Sequence, residues 1–222
     1  MNSTAYFVSL DFRTIRPYRR SLYLSILIAL IIGVALGSTS TLSAIFMMGL
    51  IVLMSYPFSV GEKNGMDTLY ATLPLKRRNV VMGRYVFVLC LEIIGMIFVL
   101  LLSVLLATVF RTDVNIMETL FSLCVLSAVF SLIVSLQYPI YFKLGYAKAK
   151  IYAYIPLLII FLLIMLVAAA AGRLAATSNL DTIWAVISAS PYLMYGLPIG
   201  IGLLLLVLSC ALSCKLYEKR DI

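Results

Sequence analysis

Apolar residues in this chain fall into long runs, and polar residues fall into the short stretches between them. The runs cover about 22–37, 41–60, 84–110, 118–142, 151–172 and 191–214. Each approaches or exceeds the roughly 20 residues needed to cross the hydrocarbon of a bilayer as a helix. Backbone amides in hydrocarbon must be satisfied within the segment or in a closed barrel. Barrel strands are about 10 residues long and alternate apolar with polar positions, whereas these runs are longer and apolar on all sides. The pattern therefore predicts an all-α integral membrane fold of six transmembrane helices, forming a single unit over 1–222. The first two spans are separated by only a few small residues, Gly37-Ser38-Thr39-Ser40, and form a tight hairpin.

Two further helices are expected outside the bilayer core. Residues 1–20 carry Tyr6, Phe7, Leu10 and Ile15 on one stripe, with arginines gathered towards the end. That is the pattern of a helix lying in the interface ahead of the first span. A full-length span follows the basic residues, so this stretch is read as retained and not as a cleaved signal. Within 62–74, the positions Met66, Leu69, Tyr70 and Leu73 repeat as i, i+3, i+4, i+7, one face of a short helix, which Pro74 ends.

Charge assigns the sides. With the N-terminus in the cytosol and six alternating spans, fifteen of the 17 lysines and arginines lie on the cytosolic side, and only Arg111 and Arg173 lie outside. So lopsided a distribution over short loops is the positive-inside signal, and it places both termini in the cytosol. The net charge of +8 then describes cytosolic anchors facing anionic headgroups, and no nucleic-acid partner is needed to explain it.

Composition narrows the chemistry. The chain is 64% hydrophobic and 12% charged, with a mean hydropathy of +1.11. It has no histidine and four cysteines, Cys90, Cys124, Cys210 and Cys214, each within an apolar run and without a CxxC spacing. A zinc or disulfide framework is not expected. No phosphate-cradling GxxxxGK[ST], HExxH or GxSxG occurs. Glu92 is the one acid deep in a span, so no carboxylate pair is available for hydrolysis. The chain is read as a non-enzyme that binds no metal or cofactor itself. An ionisable residue in a span marks either a functional pathway or an interhelical hydrogen bond. Glu92 could pair with Arg84, two turns away, or bond to a Ser, Thr or Tyr on another helix.

Small residues in the spans allow close helix approach. Gly33 with Gly37, Gly196 with Gly200, and the patch 168–172 are such positions, each a weak candidate for an intersubunit surface. The short helix at 62–74 has two possible partners, the membrane surface or a groove on a soluble protein, and periodicity does not separate them.

The stretch 62–86, EKNGMDTLYATLPLKRRNVVMGRYV, resembles the first cytosolic loop of ABC-2 type transporter permeases. That loop carries an acidic residue, a glycine, a Thr-Leu and Leu-Pro core, a basic cluster and a Gly-basic pair, here Glu62, Gly65, Thr68-Leu69, Leu73-Pro74, Arg77-Arg78 and Gly83-Arg84. The stretch 139–150, PIYFKLGYAKAK, resembles the segment between spans four and five of small Firmicute-type members. Within the family the likeness extends to permease subunits of phenol-soluble-modulin exporters, which lack a fused ATPase. The resemblance implies a bacterial plasma-membrane permease in which Glu62, Lys63, Gly65, Met66, Asp67, Thr68, Leu69, Tyr70, Leu73 and Pro74 form the coupling helix. It implies docking on a separate ABC ATP-binding subunit, present in two copies, which would hold the ATP and Mg. Lys143, Gly145 and Lys148 would form a second contact. A second permease chain, identical or paralogous, is implied as well.

Three functions follow. The first is an ATP-driven exporter moving amphipathic peptides or other hydrophobic cargo, because few charges line the spans. The second is an ion-coupled secondary transporter, disfavoured by the lack of a visible repeat and of buried charges other than Glu92. The third is a non-transport membrane anchor for a soluble partner.

Overall fold

The computed structural model describes residues 3–16, 19–36, 39–66, 77–110, 116–174 and 190–219. Eight helices are described: α1 (Ser3–Ile15), α2 (Arg19–Leu36), α3 (Thr39–Leu53), α4 (Tyr56–Lys63), α5 (Arg77–Phe110), α6 (Ile116–Leu144), α7 (Tyr146–Leu174) and α8 (Pro191–Glu218). Among the described residues, four stretches are long and apolar enough to cross a membrane: Thr39–Lys63, Arg77–Leu106, Ile116–Leu144 and Tyr192–Glu218. A shorter apolar helix covers Tyr23–Gly33.

The outer surface is apolar. Ile97, Leu101, Val104 and Leu105 on α5, and Leu203, Leu204, Val207 and Leu208 on α8, all point outward. A water-soluble bundle would bury such stripes; here lipid is the solvent that accepts them. The chain is a multi-pass membrane protein.

The helices approach each other through small residues, as expected where lipid tails are as apolar as the side chains. A Cβ on Gly33 would lie 2.7 Å from Leu42 Cβ, and one on Gly49 would lie 2.6 Å from Ser25 Cβ, so these two glycines close the α2–α3 hairpin. Gly33 thus faces its own chain. Gly95 admits Leu50 of α3 against α5, and Gly202 lets α8 pass close to Ser131 and Ala128 of α6. Among the described residues, Gly196 and Gly200 have no other atom within 4 Å of an added Cβ. The side chains of the 168–172 patch lie outside the description.

Two element boundaries differ from the hydropathy reading. The run 41–60 is not one continuous helix: α3 ends at Leu53, and α4 restarts at Tyr56. Pro57 stands at the start of α4 and has no amide to continue the ladder. The Ser55 hydroxyl donates to the Val52 carbonyl at 2.8 Å, taking one of the acceptors freed there. The third run, expected from 84, begins its helix at Arg77. Hydropathy misses this extension because it opens with Arg77, Arg78 and Asn79. Arg77 Nη1 donates to the Tyr217 carbonyl at 3.2 Å and to the Glu218 carbonyl at 3.3 Å. A cation there satisfies the open end of α8 and suits its dipole.

α1 packs against the start of α5 and against α4. Its buried stripe is Phe7, Asp11 and Ile15, spaced i, i+4, i+8. The expected stripe is corrected in two places: Tyr6 is exposed, and the carboxylate of Asp11 faces inward. The Phe12 ring meets Phe87 edge-on at 4.9 Å, which fixes α1 across α5.

Candidate functional site

The basic end of the bundle gathers α1, α4, α5, α6, α7 and α8 around a knot of aromatic rings. Phe58 of α4 is its centre. Its ring centroid lies 4.9 Å from that of Tyr138, 5.0 Å from Tyr141 and 5.0 Å from Phe142. Phe142 in turn meets Tyr217 at 5.4 Å, and Tyr138 meets Tyr85 at 5.2 Å. Most of these pairs are edge-to-face, the favourable arrangement for aromatic quadrupoles.

Hydrogen bonds tie this knot to the neighbouring helices. The Tyr138 hydroxyl donates to the Met54 carbonyl at 3.2 Å, taking an acceptor left open by the break before α4. Gln137 Nε2 donates to the Ala153 carbonyl at 2.9 Å, joining α6 to α7. Tyr85 bonds Ser209 at 2.6 Å and Ser213 at 2.8 Å. The Ser209 hydroxyl donates to the Ser135 carbonyl at 2.7 Å, so Tyr85 donates to Ser209.

Arg84 enters this knot from α5. Its guanidinium carbon sits 4.0 Å from the Phe58 ring centroid and 5.7 Å from that of Phe142. Only 7% of Arg84 is exposed. A guanidinium removed from water gains most from such ring faces. Asp11 approaches the same charge from α1. Burial pushes the Asp11 carboxyl up to about 6, and the Arg84 charge pulls it part of the way back. Among the described residues, Asp11 Oδ2 has no hydrogen-bond partner.

Glu62 stands at the end of α4, beside the knot. The Ala147 backbone N–H, in the first turn of α7, donates to Glu62 Oε2 at 2.9 Å. A carboxylate there satisfies one of the free amides of the helix start and complements its positive end. Gly145 makes the join possible. It is the single residue between α6 and α7 and holds φ at 76°, a backbone region that glycine occupies without Cβ strain. Its N–H donates to the Tyr141 carbonyl and its carbonyl accepts from Ala149 N–H, both at 3.0 Å. One residue therefore ends α6 and starts α7. Lys143 and Lys148 flank it, both exposed.

The two segments singled out in the sequence thus meet through Glu62 and Ala147. Glu62 and Lys63 occupy the last turn of α4, and Gly65 turns the chain with φ at 61° before Met66. Asp67, Thr68, Leu69, Tyr70, Leu73 and Pro74 lie outside the described residues. Glu92 is remote from this end. It is buried on α5 and accepts long hydrogen bonds from the Ser131 hydroxyl of α6, at 3.3 Å and 3.4 Å. Of the two partners considered for it, serine holds it, while Arg84 faces Phe58.

A family model for ABC-2 family transporter proteins matches residues 7–218. The chain belongs to that family. No curated protein and no solved structure matches it significantly. An ABC-2 protein is the membrane permease of an ABC transporter and works with an ABC ATP-binding partner. The match takes in both the 62–86 loop and the 139–150 segment.

Several residues that build this end of the ABC-2 chain escaped the sequence reading. Phe58, Tyr138, Phe142 and Tyr217 each lie in or beside an apolar run, where an aromatic reads as ordinary span. Asp11 was legible in principle, since it shares the i, i+4 spacing of Phe7 and Ile15, but its charge set it apart from an apolar stripe.

Proposed function

We propose that this chain is a six-span permease subunit of an ATP-driven exporter, with both termini in the cytosol of a bacterial cell. The segment that follows the Gly65 turn, up to Pro74, docks on the ABC ATP-binding subunit, with Glu62 and Lys63 anchoring it at the end of α4, and the α6–α7 turn at Lys143, Gly145 and Lys148 makes the second contact. Two permease chains and two ATPases make the transporter. The cargo is an amphipathic peptide or another hydrophobic molecule that enters from the inner leaflet; modulin-type peptides are the cargo class that the sequence likeness favours.

The observation that carries this reading is the Glu62–Ala147 hydrogen bond. It joins the end of α4, from which the proposed docking helix departs, to the start of α7. A push on that helix is passed to α7 by Glu62, and to α5 and α6 by Phe58, Arg84 and Phe142. Rigid elements in close contact move as bodies, the usual route from nucleotide closure to alternating access. The scarcity of charge along the spans supports an amphipathic cargo over an ion.

The test is copurification of the ABC ATP-binding subunit with the tagged permease from detergent-solubilised membranes. Leu69→Asp, on the proposed docking face, is expected to reduce recovery of the ATPase at least tenfold while the permease itself still purifies. Unchanged recovery rejects the docking assignment. If the complex forms but reconstituted vesicles show no cargo-stimulated ATP hydrolysis, the anchoring role is favoured over export.

A further inference from the structure

A second feature of the molecule has no part in the coupling account. Between α1, α2, α3 and α5 lies an apolar cavity of about 240 Å3. Its walls include Phe12 of α1, Ile26 of α2, Phe46 and Leu50 of α3, and Ile94 and Phe98 of α5. Almost none of its wall is polar. Along α5 it extends from Leu91 to Phe98, about 10 Å at the helical rise per residue. Ile94 and Phe12 are exposed at its edge, so it opens sideways to the surface that faces lipid. An enclosed apolar cavity of roughly 150 Å3 stays dry and takes up an apolar guest; this one is larger and faces hydrocarbon.

Charge identifies the guest. Arg13 and Arg16 lie on or directly after the same turns of α1 as the lining residues Phe12 and Ile15, and Arg20 lies in the first turn of α2, six residues before Ile26. All three arginines are exposed. An apolar slot whose walls come from helices that carry exposed arginines close in sequence to the lining residues matches a molecule with a hydrocarbon chain and an anionic head. We propose that the slot holds one acyl chain of an anionic phospholipid, whose phosphate headgroup meets Arg13, Arg16 and Arg20. The site rests on the bilayer placement of the chain and not on the export reading. It would make α1 a part of a lipid-binding site besides a helix resting on the membrane.

The full-length chain reports on this when reconstituted in phosphatidylcholine vesicles with Trp184→Phe and Phe98→Trp. Quenching of the new tryptophan is measured with chain-brominated phosphatidylglycerol and, separately, with chain-brominated phosphatidylcholine. A preference of about fivefold or more for the anionic lipid is expected at residue 98, the gain that one well-placed basic side chain gives near a charged headgroup. The same measurement with Val207→Trp, on the outward face of α8, is expected to show no preference. Replacing Arg13, Arg16 and Arg20 by Gln is expected to abolish the preference at residue 98. Equal quenching by both lipids at residue 98 overturns the proposal. So does a tryptophan shielded from both lipids, which would mean that a second copy of the chain or retained cargo fills the slot. Should Phe98→Trp fail to fold, Ile94→Trp reads the same slot under the same criteria.

Discussion

The basic end of the bundle and its mid-membrane section are held by different forces. At the basic end, Arg84, Asp11, Glu62 and six aromatic rings from Phe58 to Tyr217 interlock through stacking, charge and hydrogen bonds. In the middle, glycines admit aliphatic or small side chains, Gly33 on Leu42, Gly95 on Leu50 and Gly202 on Ser131, beside one stacked pair, Phe46 on Phe98 at 5.2 Å. Glu92 is a buried acid there, and among the described residues it accepts long hydrogen bonds from Ser131. Directional interactions fix angles and distances between helices, whereas close van der Waals contact fixes separation but resists sliding weakly. The contrast teaches that the directional contacts concentrate at the basic end, the end that the coupling account has receive the force.

The largest effect is expected from removing the centre of the basic end. Arg84→Ala loses the stacking on Phe58 and Phe142, opens a cavity and leaves Asp11 without its counter-charge. A loss of about 3 kcal/mol is expected, measured by unfolding in mixed detergent. Asp11→Asn sharpens the same point with a defined sign. In the folded chain the carboxyl titrates near 6, against 3.8 unperturbed. Between those values the folded state holds a proton that the unfolded state has released, so stability falls as pH rises through this window. Above it the wild type carries a cost on the order of 2–3 kcal/mol. The asparagine variant is expected to be more stable than wild type by that amount at pH 7.5, and the two should converge towards pH 4.

The mid-membrane section is probed by Gly95→Ala. Its new methyl would lie 2.4 Å from Leu50 Cδ1, and overpacking of this kind costs about 1–3 kcal/mol. Gly200→Ala meets nothing among the described residues and is expected to be neutral or slightly stabilising by the same unfolding assay. The smallest stability effect belongs to Glu62→Gln. It removes a charge from an exposed helix start and is expected to cost less than about 1 kcal/mol. Its effect on stimulated ATP hydrolysis by the assembled transporter is expected to be far larger than that stability change.

The membrane class and the helical runs were legible because hydropathy and the backbone rule act within each segment. The break at Met54–Ser55 was not, since both residues are compatible with a span; Pro57 was the visible signal, and it lay inside an apolar run. The early start of α5 was hidden because Arg77 earns its helical place from carbonyls more than a hundred residues away. Glu62 and Gly145 were both legible as family-like positions, but nothing in their spacing shows that a carboxylate from one segment reaches the first turn of the helix after the other. Burial of Asp11 depends on α4 and α5 standing beside α1, which a single helix pattern cannot express.

The most direct test of the coupling account is photo-crosslinking in intact membranes from Leu69 and from Lys148, each replaced in turn by a photoreactive residue. The account predicts that both positions crosslink to the same ATP-binding subunit and are closed to a membrane-impermeant label from outside the cell. Adducts with lipid alone, or labelling of residue 69 from outside, would contradict it.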